Sequence, residues 1–469
     1  YKDLGFSRLG INESSRSLLT DPSDASGHRF LSDSFQGIRR REISRVSELL
    51  QAQLLQDINI NPVQPSVSET NLNVVTSGGP GGAGFNEFTP LFEQNRMRLD
   101  ATVFAGNNDT AGGEAAVSAL YDRFSFSAGA YTYESDGWRD NNDLDQDIYN
   151  IFAQWAITPE LNVQAEYRRR ESTEGDLAFN FDRYAFSDKT VDRDLDTARI
   201  GLRYSPTPRS DFLFSYINVD RDEILDESQI IDPFLTFFVD TTDKSDGDQY
   251  EGQYIYRQDR YNVVTGVAYS NVDRIIHDFI VGEDTFFGLP PVVFILADET
   301  IRSNIEHPRG YIYANIHSME SLTWTLGASY DDYDEGLLDE TNFNPKFGVQ
   351  WDVSEDLTLR AAAFKTVKPA LVNNRTLEPT QIAGFNQFFD DINATESKLY
   401  GAGLDWRLRN DLTIGGELTW RDLDEPVNTF DAFFNPEVVF ENRDEEYHRM
   451  YAYWTPMDRV GVSAELIYD

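Results

Sequence analysis

The chain has 469 residues, with 80 Asp and Glu against 40 Lys and Arg, a formal net charge of −40, and no cysteine. That charge disfavours nucleic-acid binding, which needs clustered Lys and Arg against phosphate, and the missing cysteine excludes thiol catalysis, disulfides and zinc–thiolate sites. A mean hydropathy of −0.48 and the lack of any run of about 18 apolar residues exclude a transmembrane helix but not a membrane β-barrel, in which only alternate residues face lipid.

Residues 1–56 read as helical. The run from Glu13 through Asp21-Pro22-Ser23 ends one helix, Ala25 to Gln36, with Leu31 and Phe35 four apart, forms the next, and Ile43 to Leu55 is a third amphipathic stretch. Helix, Asp-Pro turn, helix resembles a tetratricopeptide repeat; a plain helical hairpin is the alternative. Such repeats need about three copies for stability, so a lone one implies more upstream of Tyr1. The segment is expected to be periplasmic.

Residues 57–94 lose the helical period. Asn61-Pro62-Val63-Gln64-Pro65 and Gly78-Gly79-Pro80-Gly81-Gly82 are breaker-rich and mark a linker or a segment threading a pore. The glycines carry no following Gly-Lys-Ser/Thr, so a phosphate loop is not supported.

Residues 95–469 alternate in strands of about ten residues, the length a tilted barrel strand needs. Leu161, Val163, Ala165 and Tyr167 share one face and Asn162, Gln164, Glu166 and Arg168 the other, joined through Thr158-Pro159-Glu160 to the run Tyr149, Ile151, Ala153, Trp155. The same device recurs at Asp122-Arg123, Gln258-Asp259-Arg260, Ser354-Glu355-Asp356, Arg409-Asn410-Asp411 and Thr455-Pro456-Met457-Asp458. Between these turns lie long polar connections, 170–194, 220–247, 271–305, 366–397 and 422–442. Short turns on one rim and long loops on the other predict a large antiparallel transmembrane barrel with its short turns in the periplasm. A soluble sandwich has no reason to keep one rim short, nor to set aromatics at strand ends as Trp155, Tyr167, Tyr204, Tyr216, Tyr269, Tyr330, Trp351, Trp420 and Trp454 are set here. Seventeen strand starts can be counted, near 96, 115, 124, 147, 161, 196, 211, 248, 261, 308, 321, 344, 357, 398, 411, 444 and 459. Bacterial single-chain barrels have an even number, so 17 or 18 strands are expected in an incomplete barrel, with the protein continuing past Asp469.

Taken together, Tyr1-Lys2-Asp3-Leu4-Gly5-Phe6, Asp21-Pro22-Ser23, Gln53-Leu54-Leu55-Gln56, Asn61-Pro62-Val63-Gln64-Pro65, Asn86-Glu87-Phe88, Tyr121-Asp122-Arg123-Phe124, Asn141-Asn142-Asp143-Leu144 and Lys368-Pro369-Ala370 resemble bacterial proteins in which tetratricopeptide repeats run into a TonB-dependent-receptor-like barrel. The resemblance implies a Gram-negative outer membrane, a wide porin-like barrel and a role in import or export. Such receptors carry a folded plug before the barrel, and residues 57–94 are too short for one.

The five histidines, at 28, 277, 307, 317 and 448, have no metal-ligand spacing, and there is no Gly-x-Ser-x-Gly elbow. No enzyme activity and no cofactor are therefore expected. The acid runs Asp220-Arg221-Asp222-Glu223, Asp331-Asp332-Tyr333-Asp334-Glu335 and Asp390-Asp391 fall in expected extracellular loops, where they solvate the surface or hold divalent cations against lipopolysaccharide. On the polar face, Arg96, Arg98, Glu166, Arg168, Arg199, Arg203, Arg360 and Arg421 are expected to line the lumen, the arginines pairing with acids such as Asp100 or Glu166. Substitution on that face, as in Gln164→Arg, is expected to be far milder than Val163→Arg on the lipid face. The expected function is outer-membrane transport, with the helical repeats docking a periplasmic protein. The alternative is a filled, non-conducting barrel that anchors the acidic loops or the repeats. Expected partners are outer-membrane lipid and lipopolysaccharide.

Overall fold

A computed structural model describes residues 5–38, 42–60, 94–177, 188–232, 234–285, 291–388, 391–430, 436–457 and 459–469. Three helices come first, α1 (Ser7–Thr20), α2 (Ala25–Phe35) and α3 (Glu42–Leu55). The barrel strands follow: β1 (Arg96–Ala105), β2 (Ala111–Tyr121), β3 (Phe124–Ser135), β4 (Leu144–Ala156), β5 (Leu161–Glu174), β6 (Thr190–Thr207), β7 (Ser210–Asp232), β8 (Leu235–Gln258), β9 (Tyr261–Asp284), β10 (Val292–Met319), β11 (Leu322–Glu335), β12 (Leu338–Ser354) and β13 (Leu357–Val367). Two short strands, β14 (Gln381–Ile382) and β15 (Phe385–Asn386), form a separate hairpin, and β16 (Glu396–Arg409), β17 (Leu412–Phe430), β18 (Pro436–Met457) and β19 (Val460–Tyr468) complete the large sheet. The expected linker or threading segment lies outside the described residues except at 57–60 and Gln94.

The helices end where the sequence stops them. At the Asp21-Pro22 turn the Asp21 carboxylate accepts from the Ser23 amide (2.9 Å), and Asp24 caps α2 by accepting from the Ser26 amide (3.0 Å). Ile11, Leu31 and Phe35 then pack α1 on α2.

The large sheet has seventeen strands, each antiparallel to its neighbour along the chain. No ladder joins β1 to β19 among the described residues. One rim carries turns of two to four residues at 122–123, 157–160, 208–209, 259–260, 320–321, 355–356, 410–411 and 458–459. Lipid-facing positions bear exposed apolar side chains, among them Trp155, Tyr204, Trp351, Trp406 and Trp454 near the short-turn rim and Tyr167, Tyr250, Tyr269, Tyr330, Tyr400 and Trp420 further up. In β16, Tyr400 and Trp406 are six residues apart, roughly 20 Å at about 3.3 Å per residue, comparable with the apolar band of an outer-membrane barrel.

The other rim corrects the expected long loops. The stretch 220–247 is almost wholly strand, with β7 and β8 separated only by 233–234; β9 and β10 likewise run through most of 271–305, and β17 and β18 through much of 422–442. β10 alone has 28 residues, against about 10 needed to cross lipid. These extensions read as loops in the sequence because both faces leave the membrane and the apolar alternation lapses, while ladder hydrogen bonds still satisfy the backbone. The acid runs Asp220–Glu223 and Asp331–Glu335 accordingly sit within strands β7 and β11, not in loops, and Asp390 lies outside the described residues. The stretch 366–397 departs further. Its residues 368–388 are mostly buried, because the segment folds back into the barrel.

Candidate functional site

The interior of the barrel is occupied in two layers. Near the short-turn rim lie α1–α3, touching the wall on all sides: Phe6 meets Tyr453 of β18 (ring centroids 4.7 Å), Asn12 donates to Asp405 of β16 (2.6 Å), and Arg16 pairs with Asp352 of β12 (3.1 Å). Asn262 of β9 donates to the Leu19 carbonyl (2.7 Å), Arg203 of β6 to the Leu55 carbonyl, and Gln154 of β4 to the Gln56 carbonyl (3.2 Å). The segment expected on the periplasmic side is thus seated inside the lumen at the short-turn rim. Its buried face is rich in Arg, Asn, Ser and Gln, which suits a barrel wall and not only a neighbouring helix. Close approach is built into the wall: a Cβ on Gly201 of β6 would stand 2.4 Å from Leu54 Cδ2 of α3.

Above the helices sits the inner loop, 368–388 and 391–395. Its tip is the β14–β15 hairpin, whose turn residues Ala383 (φ 47°) and Gly384 (φ 83°) are both left-handed, as a two-residue type I′ turn requires. The Arg360 guanidinium would be 2.5 Å from a Cβ at Gly384. Loop and helices are tied together: Gln51 donates to the Leu377 carbonyl (2.9 Å), the Thr376 amide to Ser47 Oγ (3.2 Å), Asn386 to Ser44 (2.9 Å), and Thr380 to Glu48. Leu50, Leu54 and Leu55 share an apolar cluster with Leu377, Ile382 and Phe385 of the loop and with Leu213, Ile217, Ile255, Phe364 and Leu399 of the wall.

A buried charge cluster fixes the loop to the wall. Glu378 accepts from Arg309 (3.1 Å) and from the Tyr313 hydroxyl, and lies 3.8 Å from Lys346. Arg309 also faces Glu251 (3.5 Å), which accepts from Tyr311 (3.0 Å) and Thr376 (2.9 Å). Burial raises the Glu378 carboxyl above its usual range, with Lys346 and Arg309 opposing it. Within the helices, His28 is enclosed: Nδ1 contacts Glu48 and Nε2 the Pro22 carbonyl (2.9 Å). Both partners accept, so the ring satisfies them as imidazolium. Burial opposes that form, and Glu48 with Pro22 reverses the balance and raises the His28 pKa.

Six of the expected lumen residues come together around this filling. Glu166 pairs with Arg199 (3.0 Å) and Arg375 of the inner loop (3.7 Å); Arg199 reaches Gln53 of α3 (3.3 Å); Arg203 holds α3 as above. Arg360 pairs with Asp405 (3.1 Å) and Glu417 (3.3 Å), Arg421 with Asp391 (2.6 Å) and Glu445 (2.8 Å), and Arg168 is buried. Arg96 and Arg98 are not part of it. They lie on the sheet-edge strand β1, Arg96 exposed and Arg98 half-exposed against Asp100 (2.9 Å). Residues the sequence reading passed over, Arg8, Glu251, Arg309, Lys346, Glu378 and Glu417, are all buried in the lumen. Strict alternation with Tyr250 and Gly252 could have flagged Glu251. No signal in the polar connection 366–397 distinguishes Glu378 from a surface acid. Among the described residues no group of His, Asp and Glu assembles as a metal site; in the strand extensions acids instead meet arginines, as Asp243 does Arg274 (2.7 Å).

Residues 86–425 match the family model described as TonB dependent receptor-like, beta-barrel. A comparison with curated proteins gave no match. Among solved structures, the siderophore receptor PiuA from Acinetobacter baumannii superposes with a TM-score of 0.57 at 10% identity, covering 80% of this chain and 64% of that one. The copper transporter OprC gives 0.58 at 12%, covering 80% and 62%, and the ferripyoverdine receptor of the Pseudomonas aeruginosa outer membrane 0.57 at 13%, covering 80% and 56%. The chain spans about six-tenths of the length of these structures, and identities this low establish the shared fold alone.

Proposed function

The chain belongs to the TonB dependent receptor-like β-barrel family and is a Gram-negative outer-membrane barrel, and from that premise we propose that it is a transport barrel whose lumen is closed by a displaceable plug. The carrying observation is the way the plug is held. α1–α3 and the inner loop meet the wall through side-chain to carbonyl hydrogen bonds, each a net of about 0.5–1.5 kcal/mol and replaceable by water. Passage of a solute then requires that these two layers move. A periplasmic protein partner would engage the helices at the short-turn rim, where Glu13, Ser17 and Phe30 are exposed. The repeat-like Asp21-Pro22 turn faces the same rim and would belong to that docking surface.

The rival reading is a permanently filled barrel that anchors its extracellular strands. The apolar cluster of Leu50, Leu54 and Leu377 with the wall favours it, because that contact resists wetting. Single-channel conductance of the intact protein in a planar bilayer separates the two. Transport predicts little conductance at rest and reversible steps when urea, which weakens both kinds of contact, is added below the concentration that unfolds the barrel. A barrel that stays silent up to its own unfolding is an anchor.

A further inference from the structure

Between the start of α1, the β14–β15 hairpin and strands β17–β19 lies a cavity of about 450 Å³. The first turn of α1 lines it at Ser7 and Arg8. α1 has 14 residues, its N-cap Phe6 supplies no side-chain cap, and its first turn holds no acid. The leading amides of such a helix have no intrahelical acceptor and carry the positive end of its dipole.

Arg449 of β18 also lines the cavity and is only 4% exposed. Among the described residues its side chain bonds to Tyr447: the guanidinium lies 5.2 Å from the ring centroid and donates to the hydroxyl, while Glu417 stands opposite it on β17. Arg449 Nε has no hydrogen-bond partner, and no carboxylate forms an ion pair with Arg449 among the described residues. Arginine is almost never fully buried unless paired. The carboxylates nearby are already engaged. Glu417 is held by Arg8 and Arg360, Glu445 by Arg421 and Arg443, and Glu465 accepts from the Tyr453 hydroxyl (2.7 Å). Glu465 and Asp469, the remaining acid on the cavity wall, are themselves exposed, so water screens them. Burial, and after it the neighbouring Arg360 and Arg449, bring the Arg8 pKa down to about 10.

We propose that this cavity binds a small oxyanion, a phosphate or carboxylate group, between the Arg449 guanidinium and the first amides of α1. Such an anion supplies the counter-charge Arg449 lacks and the acceptors the helix end lacks, the usual arrangement for anions at helix N-termini. It would also bridge plug to wall, since α1 and β18 both line the site.

The test is titration calorimetry of the full-length protein in detergent with inorganic phosphate and, separately, citrate. Expected is saturable binding of one anion per chain, weakened at least tenfold by Arg449→Gln and unaltered by Arg407→Gln, which removes an exposed arginine paired elsewhere with Asp356 (2.7 Å). Binding of phosphate alone identifies a phosphate site; mutual competition by citrate identifies a general oxyanion site. If Arg449→Gln does not fold, phenylglyoxal modification of Arg449 in the unaltered protein, read by mass spectrometry, should slow when phosphate is present. Absence of saturable binding by both probes, or of protection, overturns the proposal, as does undiminished affinity in a folded Arg449→Gln. Binding is read at equilibrium, so the outcome is independent of whether a solute crosses the barrel.

Discussion

Glu378→Ala should release the inner loop from the barrel wall while leaving the barrel intact. The substitution removes the carboxylate that stands 3.1 Å from Arg309 and 3.8 Å from Lys346. Arg309 keeps Glu251 at 3.5 Å and the Thr376 hydroxyl at 2.7 Å. Lys346 is left with Gln387 (2.7 Å) as its hydrogen-bond acceptor while its side chain stays 1% exposed. Breaking one partner out of a buried pair costs about 3–5 kcal/mol because the remaining charge is left uncompensated. That cost is present only while the loop is docked, since undocking admits water to Lys346, so it falls on the docking equilibrium: roughly two to three and a half powers of ten. A cysteine in place of Ala383, which is 1% exposed at the loop tip, reports docking by its rate of reaction with an impermeant maleimide. The rate should rise at least 100-fold in Glu378→Ala, and Lys346→Met added to it should restore slow labelling, because deleting both members of a buried pair is close to neutral. Unchanged labelling in Glu378→Ala with normal heat-modifiable mobility would refute the assignment of this cluster as the loop's anchor.

Gly201→Val places a side chain where Leu54 stands 2.4 Å from the would-be Cβ; overpacking of about 1–3 kcal/mol should appear as faster amide exchange in α3 with the barrel strands unaffected. The raised His28 pKa gives helix packing a pH dependence of definite sign: its contribution is full below the unfolded value of about 6.5 and is lost as pH rises through the higher folded value. Thermal release of α1–α3 should therefore fall to lower temperature on going from pH 6 to pH 9, and His28→Gln should flatten that slope. Val163→Arg should destabilise the barrel by roughly 2–4 kcal/mol by placing a guanidinium in lipid. Gln164→Arg, expected from sequence to be mild, should also be harmful, since Gln164 is 4% exposed and holds the Gln53 carbonyl beside Arg199; heat-modifiable mobility of the two variants checks both.

The strand framework was legible because a two-residue period survives wherever one face meets lipid. Val163 half-exposed and Gln164 buried, Tyr167 outside and Glu166 inside, follow the parity the sequence predicts, and all seventeen starts have a strand. Legibility failed where that constraint stops. Beyond the membrane, β7–β10 continue as strands whose residues meet no lipid, so Thr236 to Asp248 reads as loop. Inside the lumen the wall was expected to be polar, yet Leu213, Ile217, Ile255 and Phe364 point inward because Leu50, Leu54 and Leu377 cover them. Whether a lumen face is wet or covered depends on segments distant in sequence. Residues 366–397 show the cost of that. Their composition is that of a polar surface loop, and only the partners Arg309, Lys346 and Glu251, on other strands, reveal that Glu378 is buried.

The two layers of the plug differ in how they are joined to the wall, and this decides which can move more readily. α1–α3 meet the wall through polar side chains and helix-end carbonyls that water can replace singly, and also through the buried Arg8–Glu417 pair and the leucines of α3. The inner loop carries Glu378 into a site where two cations lie at 1% side-chain exposure, so its withdrawal exposes or strands several charges at once. The loop is also continuous at both ends with wall strands β13 and β16, whereas among the described residues the helices meet the wall through side chains and packing. A displacement beginning at the short-turn rim therefore meets the helices first. It reaches the loop through the Glu48–Thr380 and Gln51–Leu377 contacts, and His28, bonded to that same Glu48, sits where the charge state of the helices bears directly on the link between the layers.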